Sequence, residues 1–254
     1  ADSTGATGAI TIDTSTFTSV TGIFDDNTGD DTIALTLSQD GVNISSANTT
    51  DVDTIALANN VGATMTRVQD AKINAASGTN TVTLTDAGAV TGNANVETYV
   101  LADGGGTTFT LGADAQNVTT GNGADIVDVG TRTATGTFTT VAADTIKLGN
   151  GADVKGVDSG AGAGGAFTAN TLELASGASV TMTAAQNNSF TSATAAGTET
   201  IAISDANDAT GLATIETYTL AAGTQTFTLG ATGQNVTADS TGATGAITID
   251  TSTF

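Results

Sequence analysis

Three turns in the 254-residue chain concentrate oxygen donors. The first is Thr120-Gly121-Asn122-Gly123-Ala124-Asp125-Ile126-Val127-Asp128. The second is Leu148-Gly149-Asn150-Gly151-Ala152-Asp153-Val154. The third is Asp25-Asp26-Asn27-Thr28-Gly29-Asp30-Asp31-Thr32-Ile33. Glycine lets backbone carbonyls come close, and the Asn and Asp side chains add amide and carboxylate oxygens. Such a set suits a hard cation, since Ca²⁺ takes about 6 to 8 oxygen ligands. A soft metal has nothing to bind, because the chain has no Cys and no His. The candidate ligands are Asn27, Asp31, Asn122, Asp125, Asn150 and Asp153, and the candidate cofactor is Ca²⁺. An ordinary tight turn, with Asn or Asp in the left-handed region, accounts for the same residues without an ion.

Composition narrows the rest. Five Lys and Arg face 26 Asp and Glu, for a formal net charge of -21. The cations Arg67, Lys72, Arg132, Lys147 and Lys155 are too scattered to form a phosphate-binding stripe, so nucleic acid is not an expected partner. An anionic membrane surface would repel the chain, and no apolar run approaches the roughly 18 residues of a bilayer span. Without His, the commonest general base is missing, and Arg67, Arg132 and the three lysines stand far apart in sequence, unlike the Arg or Lys that a β-helical polysaccharide lyase sets beside its carboxylates. The expectation is a protein that is not an enzyme. High charge with few aromatics favours disorder. The 39% hydrophobic content and its arrangement favour a fold. No signal peptide opens the chain, and Ala1-Asp2-Ser3 reads as the interior of something longer.

The arrangement is repetitive at three scales. Ala1 to Phe17 and Ala238 to Phe254 are the same seventeen residues, at an offset of 237 (position 1 to position 238). We read 1–237 as one tandem unit and 238–254 as the start of the next. Within the unit, Val96-Glu97-Thr98-Tyr99 matches Ile215-Glu216-Thr217-Tyr218. Thr108-Phe109-Thr110-Leu111-Gly112-Ala113 matches Thr226-Phe227-Thr228-Leu229-Gly230-Ala231, and Gln116-Asn117-Val118-Thr119 matches Gln234-Asn235-Val236-Thr237. The unit is thus a diverged duplication with halves of roughly 1–119 and 120–237.

The shortest repeat is the phrase acid/amide-Thr-apolar-x-Leu, as in Asp53-Thr54-Ile55-Ala56-Leu57, Asn80-Thr81-Val82-Thr83-Leu84 and Asp144-Thr145-Ile146-Lys147-Leu148. Apolar-x-apolar pairs such as Val42/Ile44, Tyr99/Leu101, Phe109/Leu111, Val127/Val129 and Phe227/Leu229 put two side chains on one face of a short strand. Thr, Val and Ile favour strands, while Gly, Asn and Asp favour the turns between them. Val61 to Ala75 is the nearest approach to a helical pattern. Short strands at roughly ten-residue intervals fit a sandwich or a solenoid. The nested repeats and the absence of Pro favour an all-β, parallel β-solenoid. A string of sandwich domains is the alternative, although such domains carry larger aromatic cores. Coils of roughly 18 to 28 residues, rising about 4.8 Å each, would advance one unit by roughly 40 to 65 Å.

The three turns resemble the calcium-binding nonapeptide of the RTX proteins, G-G-x-G-x-D-x-U-x. The first turn matches every defined position except the leading glycine. The second also has Lys155 where a large aliphatic residue belongs. The third keeps Gly29, Asp31 and Ile33 but lacks the paired glycines. That family binds each ion between turns of consecutive repeats, whereas these turns are isolated. In its Thr/Ala/Gly-rich, acidic, Cys-free composition the whole chain resembles bacterial surface-layer and giant repetitive surface proteins. The resemblance implies secretion, calcium-dependent folding and a structural role at the cell surface, with copies of the chain itself as partner. The alternative is an adhesin or ice-binding module. Thr81/Thr83/Thr85 and Thr226/Thr228 could order water, although their irregular sequence spacing argues against one regular face.

Overall fold

The computed structural model describes residues 9–21, 32–104, 106–238 and 245–252. The chain winds into a parallel β-solenoid of about 11 turns, and its strands fall into two stacks, most successive strands alternating between them. One stack holds three sheets. These are Ala9–Asp13, Thr32–Leu37, Val52–Leu57 and Ile73–Ala76; then Ala89–Thr91, Thr108–Thr110, Ile126–Gly130, Thr145–Leu148, Thr171–Leu174 and Ser192–Thr194; then Ala209–Thr210, Gln225–Thr228 and Ile247–Asp250. The other holds Val42–Asn43, Gly62–Met65, Thr81–Leu84, Thr98–Val100, Asn117–Thr119 and Phe138–Thr139, followed by Ser179–Met182, Thr200–Ile203, Thr217–Leu220 and Asn235–Ala238. Every strand pair among the described residues is parallel. This overturns the sandwich alternative, whose sheets are antiparallel. At roughly 4.8 Å per rung, about 11 turns give a stack of about 50 Å.

The apolar pairs build the core. Phe109, Val127, Ile146 and Leu172 occupy consecutive rungs in register, each with no exposed surface. Val82, Tyr99, Val118 and Phe138 form the matching column on the other stack. Burying each such side chain is worth about 1.5–3 kcal/mol before conformational entropy is subtracted. Both members of Val42/Ile44, Val127/Val129 and Tyr218/Leu220 are buried, so the two-residue period held.

Two short helices interrupt the winding, at Arg67–Asp70 and Ala184–Ser189. Each starts with a capping box, Thr66 with Gln69 and Thr183 with Gln186, which satisfies orphan backbone donors reciprocally. The first lies inside the stretch Val61 to Ala75, between the strands Gly62–Met65 and Ile73–Ala76; the second corresponds to it across the internal duplication. The sheets of the first stack end just after these helices, at Ala76 and at Thr194. Side chains bridge both interruptions: Asn93 Nδ2 donates to Ile73 O at 2.6 Å, and Thr214 Oγ1 to Ala193 O at 2.9 Å.

Candidate functional site

The acidic and amide residues at the coil corners face backbone N–H groups of neighbouring coils. Asp53 Oδ2 accepts from Ile33 N at 2.8 Å, Asp40 Oδ1 from Gly62 N at 2.7 Å and Asp208 Oδ1 from Thr226 N at 2.6 Å. Several of these bonds run in series. Val61 N donates to Asn80 Oδ1 at 2.8 Å, and Asn80 N donates to Glu97 Oε2 at 2.7 Å. Gly177 N donates to Glu199 Oε1 at 3.0 Å, and Glu199 N to Glu216 Oε2 at 3.0 Å. Asn80 and Glu199 thus each clip the preceding coil while their own N–H is clipped by the next. Such charge-assisted bonds are roughly twice as strong as neutral ones. This explains why the repeated phrase begins with an acid or amide.

The proposed cation turns belong to the same system. Asp125 is fully buried; its oxygens accept from Thr107 N at 2.6 Å and Gly121 N at 3.1 Å. Asp125 N donates in turn to Asp144 Oδ1 at 2.9 Å. Burial pushes the Asp125 carboxyl above the usual carboxylate range, and the nearby Asp144 adds to the rise, against the bonds from Thr107 and Gly121. Asn122 donates from its backbone and from Nδ2 to Asp103 Oδ1, at 2.8 and 3.2 Å. In the second turn, Asn150 Oδ1 accepts from Ser179 N at 2.9 Å, while Asp153 accepts from Lys155 N at 3.1 Å and pairs with the Lys155 ammonium. Asn27 and Asp31 lie outside the described residues. No group of three acidic side chains among the described residues could hold a metal ion. The structure therefore places Asn122, Asp125, Asn150 and Asp153 at coil junctions and does not gather them into one cluster.

Four of the five cations also work between coils, whereas Lys155 pairs within its own turn. Lys147 lies between Asp128 and Glu173 on adjacent rungs, at 3.7 and 3.4 Å. Arg67 pairs with Asp86 at 3.2 Å and Arg132 with Asp114 at 3.5 Å. Lys72 Nζ donates to three backbone carbonyls, Thr49 O, Thr50 O and Val52 O, at 2.6, 3.0 and 2.7 Å.

Glutamines form a further set of clips, one not anticipated from the sequence. Gln116 Oε1 accepts from Gly112 N and Ala113 N, at 2.6 and 3.1 Å, and its Nε2 donates to Asn93 O and Val96 O, at 2.7 and 2.9 Å. Gln234 repeats all four bonds with Gly230, Ala231, Leu212 and Ile215. The matching Gln-Asn-Val-Thr phrases were the available signal. Tyr99 and Tyr218 are also equivalent: each ring lies 4.7 Å from a Phe of the following strand, in the opposite stack, and each hydroxyl accepts a backbone N–H at 2.7 Å. Tyr99 donates to Asp70 Oδ1 at 3.1 Å, where Tyr218 has Asn187 Oδ1 at 3.5 Å. A groove of about 570 Å³ runs beside this spot, lined by Arg67, Asp70 and Ala89 among others.

The outward positions of the second stack are different in kind. Thr64, Thr83 and Val100 align on consecutive rungs, as do Thr81, Thr98 and Asn117; in the second half Thr181, Ala202, Thr219 and Thr237 align. None of these residues is charged, in a chain with 26 acids. The irregular sequence spacing is absorbed in the turns, so the threonines are in register after all.

No family model matches the chain, and no curated protein and no solved structure was found to be similar to it.

Proposed function

We propose that the chain is a structural repeat module of a secreted bacterial surface protein, stacking end to end into a fibre or array and performing no catalysis. The observation that carries this reading is the allocation of polar chemistry. Corner acids, clamp glutamines and four of the five cations bond from one coil to another. A chain organised this way resists extension along its axis and offers copies of itself as partners.

Calcium remains part of the proposal. Its support is the resemblance of the turns and the mutual repulsion of 21 uncompensated carboxylates, which a bound divalent ion would relieve. The test is electron microscopy of cells that make the protein, immunolabelled before and after treatment with a calcium chelator. Label on ordered surface filaments or arrays that loosen with chelator is the expected result. Label confined to the cell interior contradicts the surface role, and arrays indifferent to chelator remove calcium from it.

A second reading rests on the uncharged threonine columns. A face of threonines interrupted only by Val100, Asn117 and Ala202 could seat on ordered water or on a surface glycan. Thr83→Lys with Thr219→Lys would abolish retention on ice or on insoluble polysaccharide if that face binds either.

A further inference from the structure

The repeated segment's described parts, 9–17 and 245–252, lie at the two ends of the described stack, and they pair there by opposite edges. At one end, Ala9–Asp13 pairs with Thr32–Leu37, with Ile10 opposite Ile33, Ile12 opposite Leu35 and Asp13 opposite Thr36. The next N–H, that of Thr14, donates to Thr36 O at 3.1 Å. At the other end, Ile247–Asp250 pairs with Gln225–Thr228. There the carbonyls of Ala246 and Asp250 accept from Gln225 N at 3.3 Å and Leu229 N at 3.1 Å. Position 246 corresponds to 9, 250 to 13 and 251 to 14. The polar groups alternate along a strand, so the edge set containing Thr14 is used toward the following coil, and the set containing residues 246 and 250 toward the preceding one. The two sets do not overlap. The local turn is also the same in both copies, with Asp13 Oδ1 accepting from Ser15 N at 3.0 Å and Asp250 Oδ1 from Ser252 N at 2.8 Å.

Among the described residues, Ile247–Asp250 pairs on one edge only. Ile249 is 41% exposed, whereas its inner neighbour Phe227 is fully buried. A strand edge and an apolar cross-section left bare invite another chain to continue the sheet.

We infer that this segment is a shared rung that joins units without a linker. The strand Ile247–Asp250 of one copy takes, on a second copy, the place that Ala9–Asp13 holds on the strand Thr32–Leu37. The register follows from the identical sequence: Ile247 opposite Ile33, Thr248 opposite Ala34, Ile249 opposite Leu35. The partner is a second copy of this chain, and the inference rests on the end-to-end reading above. Between separate chains, one of the two identical strands must leave, which makes the junction a strand exchange.

The test uses the full chain. Ile10→Pro with Ile12→Pro removes the N–H donors facing Thr32–Leu37 and opens that edge. This variant should elute as dimers and longer head-to-tail oligomers, while the parent chain stays monomeric. Adding Ile247→Pro with Ile249→Pro should return it to monomers, because those N–H groups face away from Gln225–Thr228. The chain has no cysteine, so Ala34→Cys with Thr248→Cys reports the register as an intermolecular disulfide. Ala34→Cys with Asp250→Cys, two residues out of step, should stay reduced. A folded monomer, or oligomers without the in-register disulfide, would overturn the inference. Should the proline variant not fold, the decisive chain contains two consecutive units, with the cysteines at Thr248 of the first and Ala34 of the second; an absent disulfide there overturns it equally. Fibres that form while these cysteines stay reduced would refute the shared rung and leave the structural reading standing. Failure of any assembly would refute both.

Discussion

Gly112→Ala is expected to cost the fold at least about 3 kcal/mol, the upper range for overpacking in a rigid interior. A Cβ at Gly112 would sit 1.8 Å from Gly92 O and 2.7 Å from Gly92 C, both backbone atoms that cannot rotate away. The same approach recurs at Gly230, 1.7 Å from Gly211 O. Both glycines also donate their N–H to a clamp glutamine, so moving the backbone to relieve the clash would break the bonds of Gln116 or Gln234. Gly104→Ala is the control. Its surroundings are open but its φ is +84°, so only the left-handed strain of about 1–2 kcal/mol applies. Chemical denaturation of the two variants beside the parent chain measures the difference. Equal costs would mean that coil-to-coil contact at Gly112 is looser than described.

Asp70→Asn is expected to stabilise the protein at pH 8 by up to about 3 kcal/mol, with the gain vanishing below about pH 4. Burial pushes the Asp70 carboxyl from 3.8 to about 6, against the opposing bond from Tyr99. Asp70 is 2% exposed, and the neighbouring Arg67 turns to Asp86 rather than to it. The folded state therefore holds the proton more tightly than the unfolded chain. The contribution to stability is complete below about pH 3.8 and is lost as pH rises through about 6. The second half of the unit already carries the neutral version, Asn187, beneath Tyr218. Melts of both chains from pH 4 to 8 decide the point; parallel curves would show that Asp70 is solvated in the folded state.

The alternation of apolar residues made the strands and the core legible, because a strand with one buried face writes its period directly into the sequence. Val127/Val129 and Tyr218/Leu220 went where that period put them. The polar residues were harder to read. Asp125 carries the same letters whether its oxygens face a cation or the N–H of Thr107, and only the neighbouring coil decides. Partners such as Asn80 and Val61 are 19 residues apart, at a separation set by turn lengths that vary from coil to coil. For the same reason the threonine columns looked irregular: 17 residues separate Thr81 from Thr98, and 19 separate Thr98 from Asn117, yet all three are in register. The short helix Ala184–Ser189 left little trace, since its Thr183/Gln186 capping box is a four-residue signal without an apolar stripe behind it.

The claim that units stack into one continuous solenoid is tested most directly by the length of a chain of two consecutive 237-residue units. Small-angle scattering in solution would measure it against the single unit. The account predicts a rigid rod lengthened by about 50 Å, from about 11 further turns at roughly 4.8 Å each. A bent or flexible dumbbell, with two bodies turning independently about a joint near residue 238, would contradict it.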